Sequence, residues 1–199
     1  MNIAVLANDE QWKELVNDCD EKSFIRVYSL QEEVAVDAYI ILKETEIDLV
    51  RNTPKPVLLN SVIKTNAELN AGKNVVRING WNGFVQRKTW EVAGIINEEV
   101  KQIFTVVNRQ FIEVADQPGL VAARSVAMIA NEAYFALGEE ISTKAEMDIA
   151  MKLGTNYPYG PFEWAEKIGV KNIYDLLKTL SATSKRYSPS ALLEKEATE

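Results

Sequence analysis

Through the first half of the chain, short runs of aliphatic residues recur at residues 2–7, 24–28, 38–42, 57–59 and 75–78, with polar or helix-patterned sequence between them. Such alternation predicts an α/β layer built on a mostly parallel sheet. Between the first two runs, Trp12, Leu15 and Val16 fall at helical spacing in residues 10–19, behind Asn8 and Asp9, either of which can cap a helix. The chain therefore opens as a βαβ unit. Residues 45–52 read as a short helix ended by Pro54 and Pro56, and residues 66–71 as another ended by Gly72. A further strand is expected at 90–93. Val100, Ile103, Phe104 and Val107 then mark an amphipathic helix over 97–108, followed by a last strand at 111–114.

After Asp116-Gln117-Pro118-Gly119 the texture becomes helical throughout, so the expected domains are residues 1–115 and 116–199. Residues 118–137 form a long, Ala-rich apolar pattern closed at Gly138, which needs cover on more than one face. Thr143 and Glu146 make a capping-box pattern for a helix that Gly154 is expected to stop after Leu153. The run Tyr157-Pro158-Tyr159-Gly160-Pro161 reads as a turn launching a helix at Pro161, which Gly169 closes. Asn172 is expected to cap residues 173–180, and Ser188-Pro189 to begin a last short helix before a charged tail.

Composition narrows the function classes. With 47% hydrophobic and 26% charged residues over 199 positions, the chain is an ordinary packed protein. Its net charge of −7 makes a surface that repels phosphates, and no Lys/Arg cluster with interleaved aromatics offsets this, so nucleic acid is not an expected partner. The start MNIAVLANDE has no basic lead or cleavage site, and no run approaches the ~18 apolar residues of a membrane span. A single cysteine, Cys19, forms no internal disulfide, and a cytoplasmic setting is expected. Asp18 and Asp20 flank Cys19 and oppose its ionisation, which makes it a packing residue at a helix end rather than a nucleophile. Two absences bear on chemistry: the chain has no histidine, and no glycine precedes Gly72. It therefore holds neither an imidazole base nor a glycine-rich loop after its first strand. That turn instead reads Ala7-Asn8-Asp9-Glu10-Gln11-Trp12.

Several motifs in order carry a resemblance: Pro118-Gly119, Arg124, Asn131-Glu132-Ala133, Asp148 to Gly154, Tyr157-Pro158-Tyr159-Gly160-Pro161-Phe162-Glu163, and Arg186-Tyr187 followed by Pro189-Ser190 and Leu192-Leu193. Together they resemble the C-terminal domain of 3-hydroxyacyl-CoA dehydrogenases. The resemblance implies an abbreviated Rossmann-like parallel sheet, degenerate over residues 1–115, followed by an all-α domain that carries much of a dimer contact. It implies NAD as the family's cofactor and a His–Glu pair as its acid–base machinery. By this likeness the His position falls at Asn82, within Gly80-Trp81-Asn82-Gly83-Phe84, and the Glu at Glu91. An amide cannot accept the proton, so both positions are expected to be vestigial. Asn60 and Ser61, after a strand, are the expected acyl or pantetheine contacts, with Arg124 beside Ala123, where the family carries an Asn. Trp81 and Trp90 read as core.

With two carboxylates and an indole where a pyrophosphate would sit, no cofactor is expected. The expectation is a catalytically degenerate paralogue. It would dimerise through the helical domain, with itself or with a full-length dehydrogenase, and keep an acyl-CoA pocket between its domains. Two alternatives stand beside it: an active 3-hydroxyacyl-CoA oxidoreductase with NAD in an unusual pose and Glu91 as base, and a subunit that sequesters or senses acyl-CoA.

Overall fold

The computed structural model describes residues 1–30, 34–43 and 53–199. The short helix expected at residues 45–52 lies outside the described residues. The chain divides into two compact units, Met1–Leu120 and Val121–Glu199.

The first unit is a seven-stranded sheet. Its strands are β1 (Ile3–Leu6), β2 (Phe24–Val27), β3 (Ala38–Ile41), β4 (Val57–Asn60), β5 (Val75–Ile78), β6 (Thr89–Ala93) and β7 (Gln110–Glu113). They lie in the order β2-β1-β3-β4-β5-β6-β7. All neighbours run parallel except β5 and β6, which pair antiparallel. Each strand falls within about a residue of its apolar run, because strands buried on both faces read as continuous hydrophobic sequence. The chain passes from β1 to β2 on one side and then to β3 on the other. That reversal places a topological switch point at the carboxyl ends of β1 and β3, where open α/β sheets bind ligands.

Two helices among the described residues cover one face: α1 (Asp9–Val16) and α2 (Glu98–Val106). Leu15, Val100, Ile103, Phe104 and Val107 pack there on Ile3, Val5, Ile40, Leu58, Val76, Ile78, Trp90 and Val92. The opposite face presents Ala4, Leu6, Ile41, Val57, Leu59 and Val75, with Val34, Val36 and Leu69 against them. Residues 66–71 are a turn rather than the expected helix. Thr65 binds Glu68, and the Asn66 backbone N–H goes to Asp116, so the segment closes one loop and stops. A single turn without further packing does not repay helix nucleation.

The second unit holds α3 (Ala122–Gly138), α4 (Lys144–Thr155), α5 (Pro161–Ile168), α6 (Val170–Ser181) and α7 (Ala191–Thr198). The Thr143–Glu146 capping box forms as the spacing predicts. Gly154 does not stop α4: the helix runs through it and ends where Asn156 takes the left-handed conformation at φ 55°. Nor does Asn172 cap α6. The helix starts at Val170, and the Asn172 amide donates back to the Ile168 carbonyl at 2.8 Å. The last helix is capped by Ser190, whose hydroxyl accepts from Leu193 N.

The Tyr157–Phe162 turn locks α4 to α5. The buried Asp148 carboxylate accepts from Phe162 N at 2.8 Å, and Gly160 comes so close that a Cβ there would stand 2.4 Å from the Asp148 Cα. Glu163 accepts from Gly160 N at 2.9 Å and pairs with Lys152, which together hold its carboxyl below the usual range, the Lys152 bond contributing most. Asn131 pins the C-terminal segment to α3, donating to Ser188 O and accepting from Ser190 N.

Candidate functional site

At the switch point the turn after β1 is closed by its own side chains. Asn8 caps α1 by accepting from Gln11 N at 2.8 Å, and Gln11 Oε1 accepts from Asn8 N at 2.9 Å. A capping box thus consumes N–H groups that a helix N-terminus would otherwise offer to an anion. The other end of the Gln11 amide reaches across the carboxyl edge of the sheet, donating to Leu42 O at 2.9 Å and Gly80 O at 2.8 Å. Gln11 is 4% exposed, and every hydrogen-bonding group of its side chain is engaged.

Asn60 completes this bridge. Its amide donates to Leu42 O at 2.7 Å and accepts from Gly80 N at 2.9 Å. The loop after β5 is fastened to α1 as well: Asn82 donates to Glu10 at 2.9 Å and accepts from Asn8 at 3.2 Å, while Gly83 N donates to Glu14 at 2.7 Å. Arg26, at the end of β2, pairs with Asp9 at 2.5 Å and lies over the rings of Trp12 and Tyr28. The Arg26 hydrogen bond and charge hold the Asp9 carboxyl below its ordinary pKa.

The expected site residues separate into distinct places. Asn60 is buried with its amide spent between strands, and Asn82 is bound to the first turn of α1. Ser61 donates to Lys64 O at 2.8 Å. Arg124 lies on α3 in the second unit, over the ring of Tyr187, which Arg186 also faces. Glu91 sits on β6. Its neighbours Trp90 and Val92 point into the core under α1 and α2, so alternation sends Glu91 to the opposite face.

Asn60 pairs with Ile78, and Ile78 pairs with Val92. Ser61 and Asn79 directly follow the first two of these residues, and Glu91 precedes the third. Asn79 is 6% exposed. Its Oδ1 accepts from Trp81 N at 3.3 Å, and its Nδ2 is buried with no partner among the described residues. The sequence carried one signal for it: a polar residue directly after an apolar strand, at the offset Ser61 holds after the preceding one.

A second residue escaped sequence reasoning. Arg77, inside β5, is fully buried. It donates to Ser61 O at 2.8 Å, Val62 O at 3.3 Å and Gln117 O at 3.4 Å, and pairs with Asp116. Burial pushes its pKa down, and the Asp116 carboxylate opposes that shift. The guanidinium thus ties the end of β4 to the segment leaving the sheet.

Among the described residues no group of three His, Cys, Asp or Glu is placed to hold a metal ion. The Cys19 thiol donates to Val107 O at 2.9 Å, and burial raises its pKa. No helix among the described residues is long and apolar enough to cross a membrane.

Comparison with known proteins bears on the helical unit most directly. Residues 119–199 match the 3-hydroxyacyl-CoA dehydrogenase C-terminal domain. Those residues form a domain of the 3-hydroxyacyl-CoA dehydrogenase C-terminal type. It is 42% identical over 88 residues to the 3-hydroxyadipyl-CoA dehydrogenase of Escherichia coli, covering 43% of this chain and 18% of that protein. It is 30% identical over 99 residues to a probable 3-hydroxybutyryl-CoA dehydrogenase of Bacillus subtilis, covering 49% of this chain and 34% of that protein. The chain thus spans about a third or less of the curated relatives' length in these matches. In fold it resembles the (S)-3-hydroxybutyryl-CoA dehydrogenase of Ralstonia eutropha, with a TM-score of 0.69, 21% identity, and coverage of 87% of this chain and 69% of that one. The family's architecture, a Rossmann-like sheet followed by a helical domain, is therefore present in this dehydrogenase-like chain.

Proposed function

We propose that this dehydrogenase-like chain binds acyl-CoA thioesters without oxidising or reducing them, and associates through its helical domain with a second copy or with a full-length dehydrogenase. The observation that carries the reading is the Gln11 bridge across the switch point. A dinucleotide pyrophosphate needs free N–H groups at the first helix and a backbone it can approach closely. Here the capping box takes up such groups, the Gln11 amide spans the carboxyl edge, and Asp9 and Glu10 add negative charge in the first turn of α1. The residues present do not fit NAD in the family's ordinary pose. The chain also contains no histidine to move the proton.

The thioester half of the reading rests on the family and on the names of its relatives, which act on 3-hydroxyadipyl-CoA and 3-hydroxybutyryl-CoA. The association half is supported by α4, whose Ile149 and Leu153 are 54% and 84% exposed, close in sequence to Ile141 at 67%. Large aliphatic side chains concentrated in this way are costly to leave in water and mark an interaction face.

The test mixes the purified chain with acetoacetyl-CoA and NADH, follows absorbance at 340 nm, and titrates NAD(H) by calorimetry. We expect no turnover and no nicotinamide binding at millimolar concentration. Turnover at an ordinary enzyme rate favours the active oxidoreductase instead.

A further inference from the structure

Two Asn-Gly dipeptides follow β5 in close succession, Asn79-Gly80 and Asn82-Gly83. Asparagine before glycine is chemically labile, because a glycine leaves its backbone nitrogen free to approach the asparagine side-chain carbonyl and displace the amide. By sequence the two dipeptides are alike, and they differ in what each glycine N–H touches. Gly80 N donates to Asn60 Oδ1 at 2.9 Å, a neutral amide oxygen too weak to take a proton. Gly83 N donates instead to a carboxylate, Glu14 Oε1, at 2.7 Å, and both residues are buried.

We infer that Asn82 is a self-modification site, at which Glu14 acts as the base that activates Gly83 N and the chain converts its own asparagine into an aspartyl residue. The carbonyl under attack is prepared from the other side. Asn82 Oδ1 accepts from Asn8 Nδ2 at 3.2 Å, a donor placed where negative charge grows during the attack, and Asn82 Nδ2 is held by Glu10 at 2.9 Å. In the reaction Glu14 takes the proton from Gly83 N, the nitrogen bonds to Asn82 Cγ, and the Cγ–Nδ2 bond breaks. That proton passes to Nδ2, which leaves with it as ammonia. Water then opens the cyclic imide at either carbonyl, giving aspartate or the isomer whose main chain runs through Cγ.

The product reverses the contact from which it forms. Asn82 gives Glu10 a hydrogen bond, whereas a carboxylate in its place stands against Glu10, with Asp9 beside it in the first turn of α1. Like charges so close repel, and the tie between α1 and the loop after β5 becomes a repulsion.

Ageing the full chain at neutral pH and mapping its peptides by mass spectrometry tests this, in buffer and in denaturing guanidinium chloride, for the wild type and Glu14→Gln. In the folded wild type the mass gain of an amide turned to an acid is expected at Asn82 and not at Asn79. It is expected to proceed faster there than in the denatured chain, where the two dipeptides react alike. Glu14→Gln keeps an acceptor for Gly83 N but removes the base, and is expected to slow the reaction at Asn82 by about a hundredfold. The modified chain, one negative charge richer, is expected to elute later from an anion exchanger and to melt below the unmodified chain. If the hydrogen bond to Glu14 merely locks Gly83 N, Asn82 reacts more slowly folded than denatured, and that result overturns the inference. Equal reaction at Asn79 and Asn82 in the folded chain, or an unchanged rate in Glu14→Gln, overturns it as well. The folded and denatured wild type decide the matter even where Glu14→Gln does not fold.

Discussion

Gly80 N donates to Asn60 Oδ1 at 2.9 Å, and a Cβ added to Gly80 would stand 2.8 Å from the Asn60 Cβ. The bridge between β3, β4 and the end of β5 therefore exists only because position 80 has no side chain. Gly80→Ala forces the two backbones apart, and overpacking of this kind costs about 1–3 kcal/mol. Urea unfolding is expected to show that loss. Asn60→Ala is expected to cost a comparable amount by orphaning Gly80 N.

Gln11 gives a second prediction, with a pH signature. Gln11→Ala leaves Gly80 O without the amide it accepts from and is expected to destabilise the first unit by about 2 kcal/mol. Gln11→Glu is nearly the same shape, yet sets a carboxylate against two carbonyl oxygens that need donors. At pH 7 it is expected to be the worse variant, and its deficit to shrink in acid as the carboxyl gains a proton. Thermal melts across that range check the order.

Two glycines of the helical unit are predicted to respond oppositely to the same change. A Cβ at Gly160 would meet Asp148 Oδ1 at 2.2 Å and its Cα at 2.4 Å, backbone that cannot give way. Gly160→Ala is expected to cost about 3 kcal/mol or more and to separate α5 from α4. At Gly154, inside α4, nothing lies within 4 Å. There alanine improves the helix, and Gly154→Ala is expected to stabilise by about 0.5–1 kcal/mol. Melting temperatures of the two variants decide this.

Glu163 makes part of the helical unit's stability pH-dependent. Its pKa is lowered from 4.5 by Lys152 and by Gly160 N, so folding favours the ionised form. The contribution is complete above about pH 4.5 and disappears as the pH falls through the lowered folded value. Glu163→Gln is expected to flatten that part of the acid limb while leaving the slope above it unchanged, as read by circular dichroism.

Arg77 depends on Asp116 for its charge. Removing one partner of a buried pair leaves the other charge uncompensated, at about 3–5 kcal/mol when burial is complete. Asp116 is 32% exposed, so solvent screens part of that penalty, and Asp116→Ala is expected to cost about 2 kcal/mol. Denaturant midpoints of Asp116→Ala and Asp116→Asn measure it.

What the sequence determined by itself was whatever depends on nearby residues or on residue type. Continuous apolar runs place the seven strands and period-3.6 patterns most of the helices, since burial on both faces of a strand or on one face of a helix imposes its own pattern. Local caps follow in the same way, with Asn8, Asn97 and Thr143 each a few residues from the N–H it accepts. The missing histidine and the missing early glycines needed no fold at all.

Local patterns failed where helix ends were settled by packing. Gly154 carries no obligation to stop a helix, and Asn172 binds backward to Ile168 because Gly169 already turns the chain. The candidate site was only half legible for a related reason. Gln11 reaches carbonyls 31 and 69 positions away, and Arg77 a carboxylate 39 positions away. Such pairings depend on strand order and register. Only the tertiary structure decides these, because hydrogen bonds made between strands are fixed by which strands adjoin, a choice that no short window of residues contains.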